Sequence, residues 1–179
     1  MKKYMFKTLF IFGTILLQGC QKNDTIFLPE YNVPDEFKPI VANFIEAAAG
    51  RGHTIQINNL IIKYDSTLKL PYCGMSNVIS SQNDVQKIIS ISPNGQCWEN
   101  SVQFETLVFH EMGHCILGRN HDTSELPNGD AKSIMYPNDI TVYSPCVYML
   151  GDSCDRLYRK SYYLDELFNP STPVPDWGK

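Results

Sequence analysis

The residues best suited to chemistry form the run His110-Glu111-Met112-Gly113-His114. In an α-helix, residues four positions apart lie one turn apart on the same face. His110 and His114 can therefore bind one zinc ion together, each through a ring nitrogen at about 2.0–2.1 Å. The carboxylate of Glu111 can then reach a water on the metal, take its proton and pass that proton to a leaving amine. The pattern predicts a zinc-dependent hydrolase with Glu111 as the general base.

A catalytic zinc site takes three protein ligands and leaves one position open. His121, seven residues after His114, is the expected third ligand because it repeats the imidazole chemistry of the first two. Gly118 favours this arrangement, since a glycine in the left-handed conformation ends a helix and turns the chain back. Asp122 is the alternative oxygen ligand, and Glu125 is a further candidate downstream.

The segment from His110 to His121 resembles the metzincin signature His-Glu-x-x-His-x-x-Gly-x-x-His/Asp. Residues 133–137, Ser-Ile-Met-Tyr-Pro, resemble the Met-turn of that family, in which Met135 would form a soft floor beneath the zinc histidines. The resemblance covers residues 85–137. It implies a zincin fold, Zn²⁺ as cofactor and endopeptidase activity on peptide or protein substrates.

One departure from the metzincin pattern affects the third ligand. Gly118 stands four residues after His114, where the family has three, so His121 comes one residue late. One extra residue turns a helix by about 100°, and the connecting loop must absorb that rotation.

Two other functions compete with this interpretation. The chain could be a catalytically inactive surface lipoprotein that keeps the zincin scaffold as a binding module, but a binding module has no need of Glu111. It could also belong to another group of zinc hydrolases, with Asp165 or Glu166 of the last predicted helix as third ligand. The Met-Tyr-Pro run at 135–137 disfavours that alternative.

The N-terminus has the features of an export signal. Lys2, Lys3 and Lys7 precede an apolar run at 9–17, which is too short to span a membrane comfortably. The following Leu-Gln-Gly-Cys at 17–20 resembles the lipobox of bacterial lipoproteins. This resemblance implies that residues 1–19 are removed and that Cys20 is lipidated. We expect attachment to the outer membrane, with either periplasmic or surface display.

Composition and charge restrict the class of protein further. Of 179 residues, 43% are hydrophobic and 19% are charged, which indicates one globular domain. Removing residues 1–19 takes away three lysines and no acids, so the net charge falls from −4 to −7. A chain this acidic is not expected to bind nucleic acid. We expect a tether at 20–33 and a monomeric catalytic domain at 34–179.

Five cysteines remain after Cys20, and an exported chain lies where disulfides persist. Cys115 falls in the apolar part of a predicted helix, where an unpaired cysteine behaves as a small hydrophobe. The pairs expected from the others are Cys73–Cys97 and Cys146–Cys154. The alternative, a second metal site, lacks any Cys-x-x-Cys spacing.

Hydrophobic periodicity predicts helices at 35–49, 99–117 and 152–168 and strands within 55–64, at 78–81 and at 87–92. The predicted class is α+β and zincin/metzincin-like: a small twisted mixed sheet, an active-site helix and a C-terminal helix. An extended substrate is expected to pair with residues 88–92 as an added strand.

Overall fold

The computed structural model describes residues 27–137, 139–146 and 154–179. The expected signal peptide at 1–19, Cys20 and the residues up to 26 lie outside the described residues. Within the described ranges, three α-helices accompany a three-stranded mixed sheet. The predicted α+β class with a small mixed sheet is therefore confirmed. No helix in these ranges is both long enough and apolar enough to cross a membrane.

The first helix, α1, spans Lys38–Ala49 and supports the site from behind. It begins three residues later than predicted, because residues 35–37 form a turn in which Phe37 N–H donates to Pro34 O at 3.0 Å. Its buried face carries Phe44, whose ring lies 5.2 Å from that of Phe109 and 5.2 Å from that of Phe168. This face therefore joins α1 to the two later helices.

The sheet comprises β1 (Leu60–Tyr64), β2 (Gly74–Ser76) and β3 (Lys87–Ile91) in the order β1-β3-β2. β3 runs parallel to β1 and antiparallel to β2. The predictions of β1 and β3 are confirmed, whereas residues 55–57 and 78–81 form no strand. β2 was not predicted, because Gly-Met-Ser lacks the β-branched and aromatic residues that mark strands in a sequence.

The predicted pairing of a substrate with residues 88–92 is wrong. β3 lies in the centre of the sheet and is hydrogen-bonded to a neighbour on each edge, so it cannot accept another strand. Among the described residues, no strand pairs with the outer edge of β2. Cys73 O and Asn77 N–H bond to β3, and alternation then directs the backbone N–H and C=O of Gly74 toward this outer edge.

Residues 30–33, within the expected tether, contact the opposite edge of the sheet. Asn32 forms a parallel bridge with Ile61, and its N–H donates to Leu60 O at 2.9 Å. The backbone N–H and C=O of Glu30 both bond to the side-chain amide of Gln86, each at 2.9 Å. The N-terminal segment is thus fixed beside β1, while β2 forms the other edge.

The second helix, α2, spans Ser101–Leu117 and carries the candidate catalytic residues. It begins after Asn100, whose side chain accepts hydrogen bonds from Val102 N–H and Gln103 N–H, both at 3.0 Å. Almost every side chain from Glu105 to Ile116 is buried. The helix therefore runs through the core, and packing around it holds the backbone that carries its histidines.

The last helix, α3, spans Lys160–Phe168 and follows a 3₁₀ turn at Leu157–Arg159. It begins later than the predicted residue 152, because Asp155 accepts a hydrogen bond from Leu157 N–H at 3.0 Å and starts the 3₁₀ turn there. Residues 152 and 153 of the predicted helix lie outside the described ranges.

Two disulfides, Cys73–Cys97 and Cys146–Cys154, confirm the predicted pairing. Cys115 is unbridged and buried, also as predicted. The Cys73–Cys97 bridge joins the residue before β2 to the loop before α2. It thus fixes the edge strand to the helix that carries the candidate site.

Candidate metal centre

His110 and His114 project from one face of α2 toward the same point. Their Nε2 atoms lie 3.2 Å apart, and both side chains are buried. This closeness follows from their spacing of one helical turn.

His121 completes the cluster because the chain reverses at Gly118. Gly118 has φ +68°, and its N–H donates to His114 O at 3.1 Å, which closes the helix in a left-handed cap. The Nε2 atom of His121 then lies 3.1 Å from that of His110. The ligand atoms of the three histidines all lie within 4.8 Å of one another. The loop has therefore absorbed the extra residue between His114 and Gly118.

Two backbone carbonyls fix the orientation of the buried histidines. His110 Nδ1 lies 2.8 Å from Ile134 O, and His114 Nδ1 lies 2.6 Å from Arg119 O. Since a carbonyl oxygen only accepts, each Nδ1 carries the proton and each Nε2 presents a lone pair. Burial lowers the pKa of His110 to about 4 and lowers that of His114, so both rings are neutral near pH 7.

This donor set fits a tetrahedral zinc ion. Lone pairs facing each other at 3.1–3.2 Å repel unless a cation lies between them. Bonds of about 2.0–2.1 Å in tetrahedral geometry place two donor atoms about 3.3 Å apart, close to the separations found here. Three imidazoles, two of them with tautomers fixed by backbone carbonyls, match the chemistry of a catalytic site with one open position.

The other candidate ligands lie elsewhere. Asp122 accepts a hydrogen bond from Ser124 N–H at 2.9 Å and does not belong to the cluster of possible metal ligands. Glu125 is exposed and forms a bridge with Ala131. Asp165 pairs with Arg51 at 2.8 Å.

Glu166, the second acid considered on α3, supports the site without belonging to the cluster. Its side chain is 0% exposed, and its Oε1 lies 2.7 Å from the Arg119 guanidinium. Its Oε2 accepts a hydrogen bond from Ser133 Oγ. Arg119 also donates to Leu167 O at 2.7 Å. The carboxylate thus joins α3 to the two segments whose carbonyls orient His114 and His110.

Glu111 lies beside the histidines, under strand β2. A Cβ at Gly74 would lie 2.7 Å from Glu111 Oε1 and 3.0 Å from Leu107 Cδ1, so only glycine leaves room for this carboxylate. Burial raises the pKa of Glu111 to about 7, and the backbone amide of Ser76 opposes the shift. A carboxylate with a pKa near neutrality can both accept and return a proton at physiological pH.

Met135 packs against α2 at Gly113. It is fully buried, and a Cβ at Gly113 would collide with its Sδ atom. Its N–H donates to Ser133 Oγ at 3.0 Å. Gly113 therefore lets the helix approach the methionine closely, and this contact fixes the segment that supplies Ile134 O.

A cavity of about 220 Å³ opens beside Glu111 and the histidines. One side consists of residues 71–74 with the Cys73–Cys97 disulfide, and Leu107 of α2 lies within the lining. Tyr136, Pro137, Asp139 and Ile140 supply another side. Sequence reasoning missed Gly74, Arg119 and Asp139, since none of them belongs to a recognisable pattern.

Comparisons with models of protein families, with curated proteins and with solved structures found no match to this chain. The assignment of a function rests on the geometry of these side chains.

Proposed function

We propose that this protein is a zinc-dependent endopeptidase with a metzincin-like fold, in which His110, His114 and His121 bind Zn²⁺ and Glu111 is the general base. One observation carries the proposal. Three histidine Nε2 atoms converge beside a buried carboxylate, at the mouth of a cavity bordered by an unpaired strand edge. Each element has a separate task in peptide hydrolysis.

The residues of this chain divide the reaction between them. A bound zinc ion supplies Lewis acidity toward a carbonyl oxygen and lowers the pKa of water. Glu111 accepts a proton from the attacking water and returns it to the leaving amine. Burial raises the pKa of the Glu111 carboxyl, which makes it a better proton acceptor than an exposed carboxylate. The side chain of Glu111 is buried, which limits its contact with bulk water.

The outer edge of β2 provides a means of holding an extended peptide. Gly74 directs its N–H and C=O to this edge and lies against Glu111. A peptide that pairs there as an added strand lies across the histidines, with its scissile bond near Glu111. Strand addition uses the substrate backbone, so it suits an endopeptidase.

The competing function, a binding module without activity, gains no support from Glu111. Keeping a carboxylate buried with a raised pKa costs folding energy, and a binding module obtains nothing in return. We further propose that Cys20 carries a lipid and holds the domain at the outer membrane.

The decisive experiment combines metal content with cleavage. The purified domain should contain one zinc, located by anomalous scattering at the zinc edge beside the three histidines. It should cleave an unfolded protein substrate, lose activity to a chelator and regain it with Zn²⁺. Glu111→Ala should keep the zinc and lose cleavage by on the order of 10²-fold or more. A variant that binds zinc and cleaves like the wild type would exclude Glu111 as the base.

A further inference from the structure

The cavity beside the candidate metal centre has an acidic lining. Its lining contains no lysine or arginine, and its acids are Glu111 and Asp139. Glu111 is assigned to proton transfer in the proposed reaction. Asp139 is half-buried and has no such task. The cavity therefore contains one carboxylate that the proposed reaction does not use.

The carboxylate of Asp139 is held in place on one side only. Its Oδ1 accepts hydrogen bonds from Thr141 N–H and Thr141 Oγ1, both at 2.8 Å. In the described part of the chain, no lysine or arginine forms an ion pair with Asp139. One oxygen is thus held by Thr141, and no described residue donates a hydrogen bond to the other.

The rest of the lining is largely apolar, and the cavity is small. Leu107, Pro137, Ile140 and the Cys73–Cys97 disulfide supply hydrocarbon and sulfur surfaces. The volume of about 220 Å³ is below the roughly 300–1,000 Å³ of pockets for drug-sized ligands. A single long side chain with an apolar stem and a cationic end matches both the shape and the charge.

We infer that this cavity selects a lysine or arginine side chain next to the scissile bond and that Asp139 is the residue that sets this specificity. The inference rests on the proposed peptidase function. The side chain that enters the cavity must flank the reacting bond, because His110, His121 and Glu111 belong to the same lining. The excess of acids, with net charge −7 after removal of residues 1–19, also favours the approach of basic substrates.

The first test measures kcat/KM for peptides that differ only at the residues flanking the bond. Lysine is compared with norleucine, which has the same stem without the amine, and mass spectrometry maps the cut. The wild type should prefer lysine by about tenfold, the lower end for one charge-assisted hydrogen bond. Asp139→Asn should abolish the preference and retain the bonds to Thr141, because Asn also offers an Oδ1 acceptor.

Asp65 provides a matched control. Its Oδ1 accepts from the N–H and hydroxyl of Thr67, the same local arrangement as at Asp139, and it lies outside the cavity lining. Asp65→Asn should keep the full preference for lysine. Equal cleavage of the two peptides by the wild type, or a preference that survives in Asp139→Asn, would overturn the inference.

A binding experiment separates this inference from the proposed activity. The hydroxamates of lysine and norleucine are titrated into the zinc-loaded domain by calorimetry. The wild type should bind the lysine compound about tenfold more tightly, and Asp139→Asn should bind both equally. If no peptide is cleaved and this difference persists, the cavity inference stands and the peptidase proposal fails. Equal or undetectable binding of both compounds by the wild type would overturn the inference.

Discussion

A single glycine decides whether the third histidine reaches the other two. Gly118 adopts φ +68°, a conformation that costs little for glycine and about 1–2 kcal/mol for other residues. Steric crowding also favours glycine at this position, since a Cβ there would lie 3.2 Å from the backbone nitrogen of Ser81. The reversal brings His121 to His110 although one residue more separates Gly118 from His114 than in the metzincin signature.

The first prediction distinguishes the two candidates for the third ligand. His121→Ala should lose zinc on dialysis, because removing a direct ligand weakens binding beyond the about 10–100-fold of outer-shell changes. Asp122→Ala should keep one equivalent, because the carboxylate bonds to Ser124 N–H instead of joining the cluster. Zinc stoichiometry after dialysis checks both variants. The reverse result would assign the ligand to Asp122.

The second prediction concerns the space around the general base. Gly74→Ala introduces a Cβ that would lie 2.7 Å from Glu111 Oε1, so the carboxylate must move. We expect kcat/KM to fall by about 10–100-fold with zinc content unchanged, since displacement of a catalytic group by about 1 Å is that costly. Gly95→Ala is the control, because a Cβ there meets nothing within 4 Å. Full activity in Gly74→Ala would argue against this position for the base.

At the scale of elements, α3 holds the metal centre together from outside it. Glu166 contacts Arg119 and Ser133, which belong to the segments that supply Arg119 O and Ile134 O to the histidines. These carbonyls fix the tautomers that expose the Nε2 lone pairs. The orientation of two proposed ligands on α2 thus depends on a carboxylate of another helix.

The third prediction tests this dependence. Glu166→Ala should lower the free energy of unfolding by about 3–5 kcal/mol, because it leaves the Arg119 guanidinium, whose side chain is only 14% exposed, without its carboxylate partner. It should also weaken zinc binding by about 10–100-fold. Glu166→Gln, which keeps the shape of the side chain, should lose less stability than Glu166→Ala. It should also weaken zinc binding.

The neighbouring acid gives the control for this experiment. Asp165 pairs with Arg51 but has a side chain that is 47% exposed, so Asp165→Asn should change stability by less than about 1 kcal/mol. Denaturant titration measures stability, and competition with a chromogenic chelator measures zinc affinity. Unchanged zinc affinity in a folded Glu166 variant would leave this residue with a role in packing alone.

The elements differ in how far the sequence alone could predict them. β3 was predictable because its isoleucines favour a strand. α2 was predictable because apolar residues recur at helical spacing along it and Gly118 marks its end. β2 was not, since a strand of Gly-Met-Ser exists only through its pairing with β3. The role of Glu166 was equally hidden, because its partners Ser133 and Arg119 lie 33 and 47 residues away in sequence.

At the scale of the whole molecule, the two edges of the sheet have different tasks. The edge formed by β1 receives the N-terminal segment through Glu30 and Asn32. The edge formed by β2 borders the cavity and the proposed base. Residues 30–33 thus lie at the opposite edge of the sheet from the strand that borders the cleft.

The fourth prediction concerns the anchor. Cys20→Ser should transfer the protein from the membrane fraction to the soluble fraction, because lipidation requires the thiol of the first mature residue. Mass spectrometry of the mature N-terminus should find acyl chains on Cys20. Cleavage of a soluble peptide by the released domain should be unchanged, since the described fold begins beyond this residue. An unmodified Cys20 in the native protein would contradict the lipoprotein assignment.

With the lipid anchor proposed at Cys20, the contact of Glu30 beside β1 limits how far the domain can lie from the membrane. Residues 21–29 separate Cys20 from this contact, and each spans at most about 3.3–3.6 Å, so the connection reaches about 30 Å. β2 lies two strand spacings, about 10 Å, beyond β1. With that proposed anchor, the cleft would lie within a few tens of ångströms of the lipid surface. Substrates held in the same membrane would then be present near the cleft at high local concentration, whereas freely diffusing substrates would first have to approach the lipid surface.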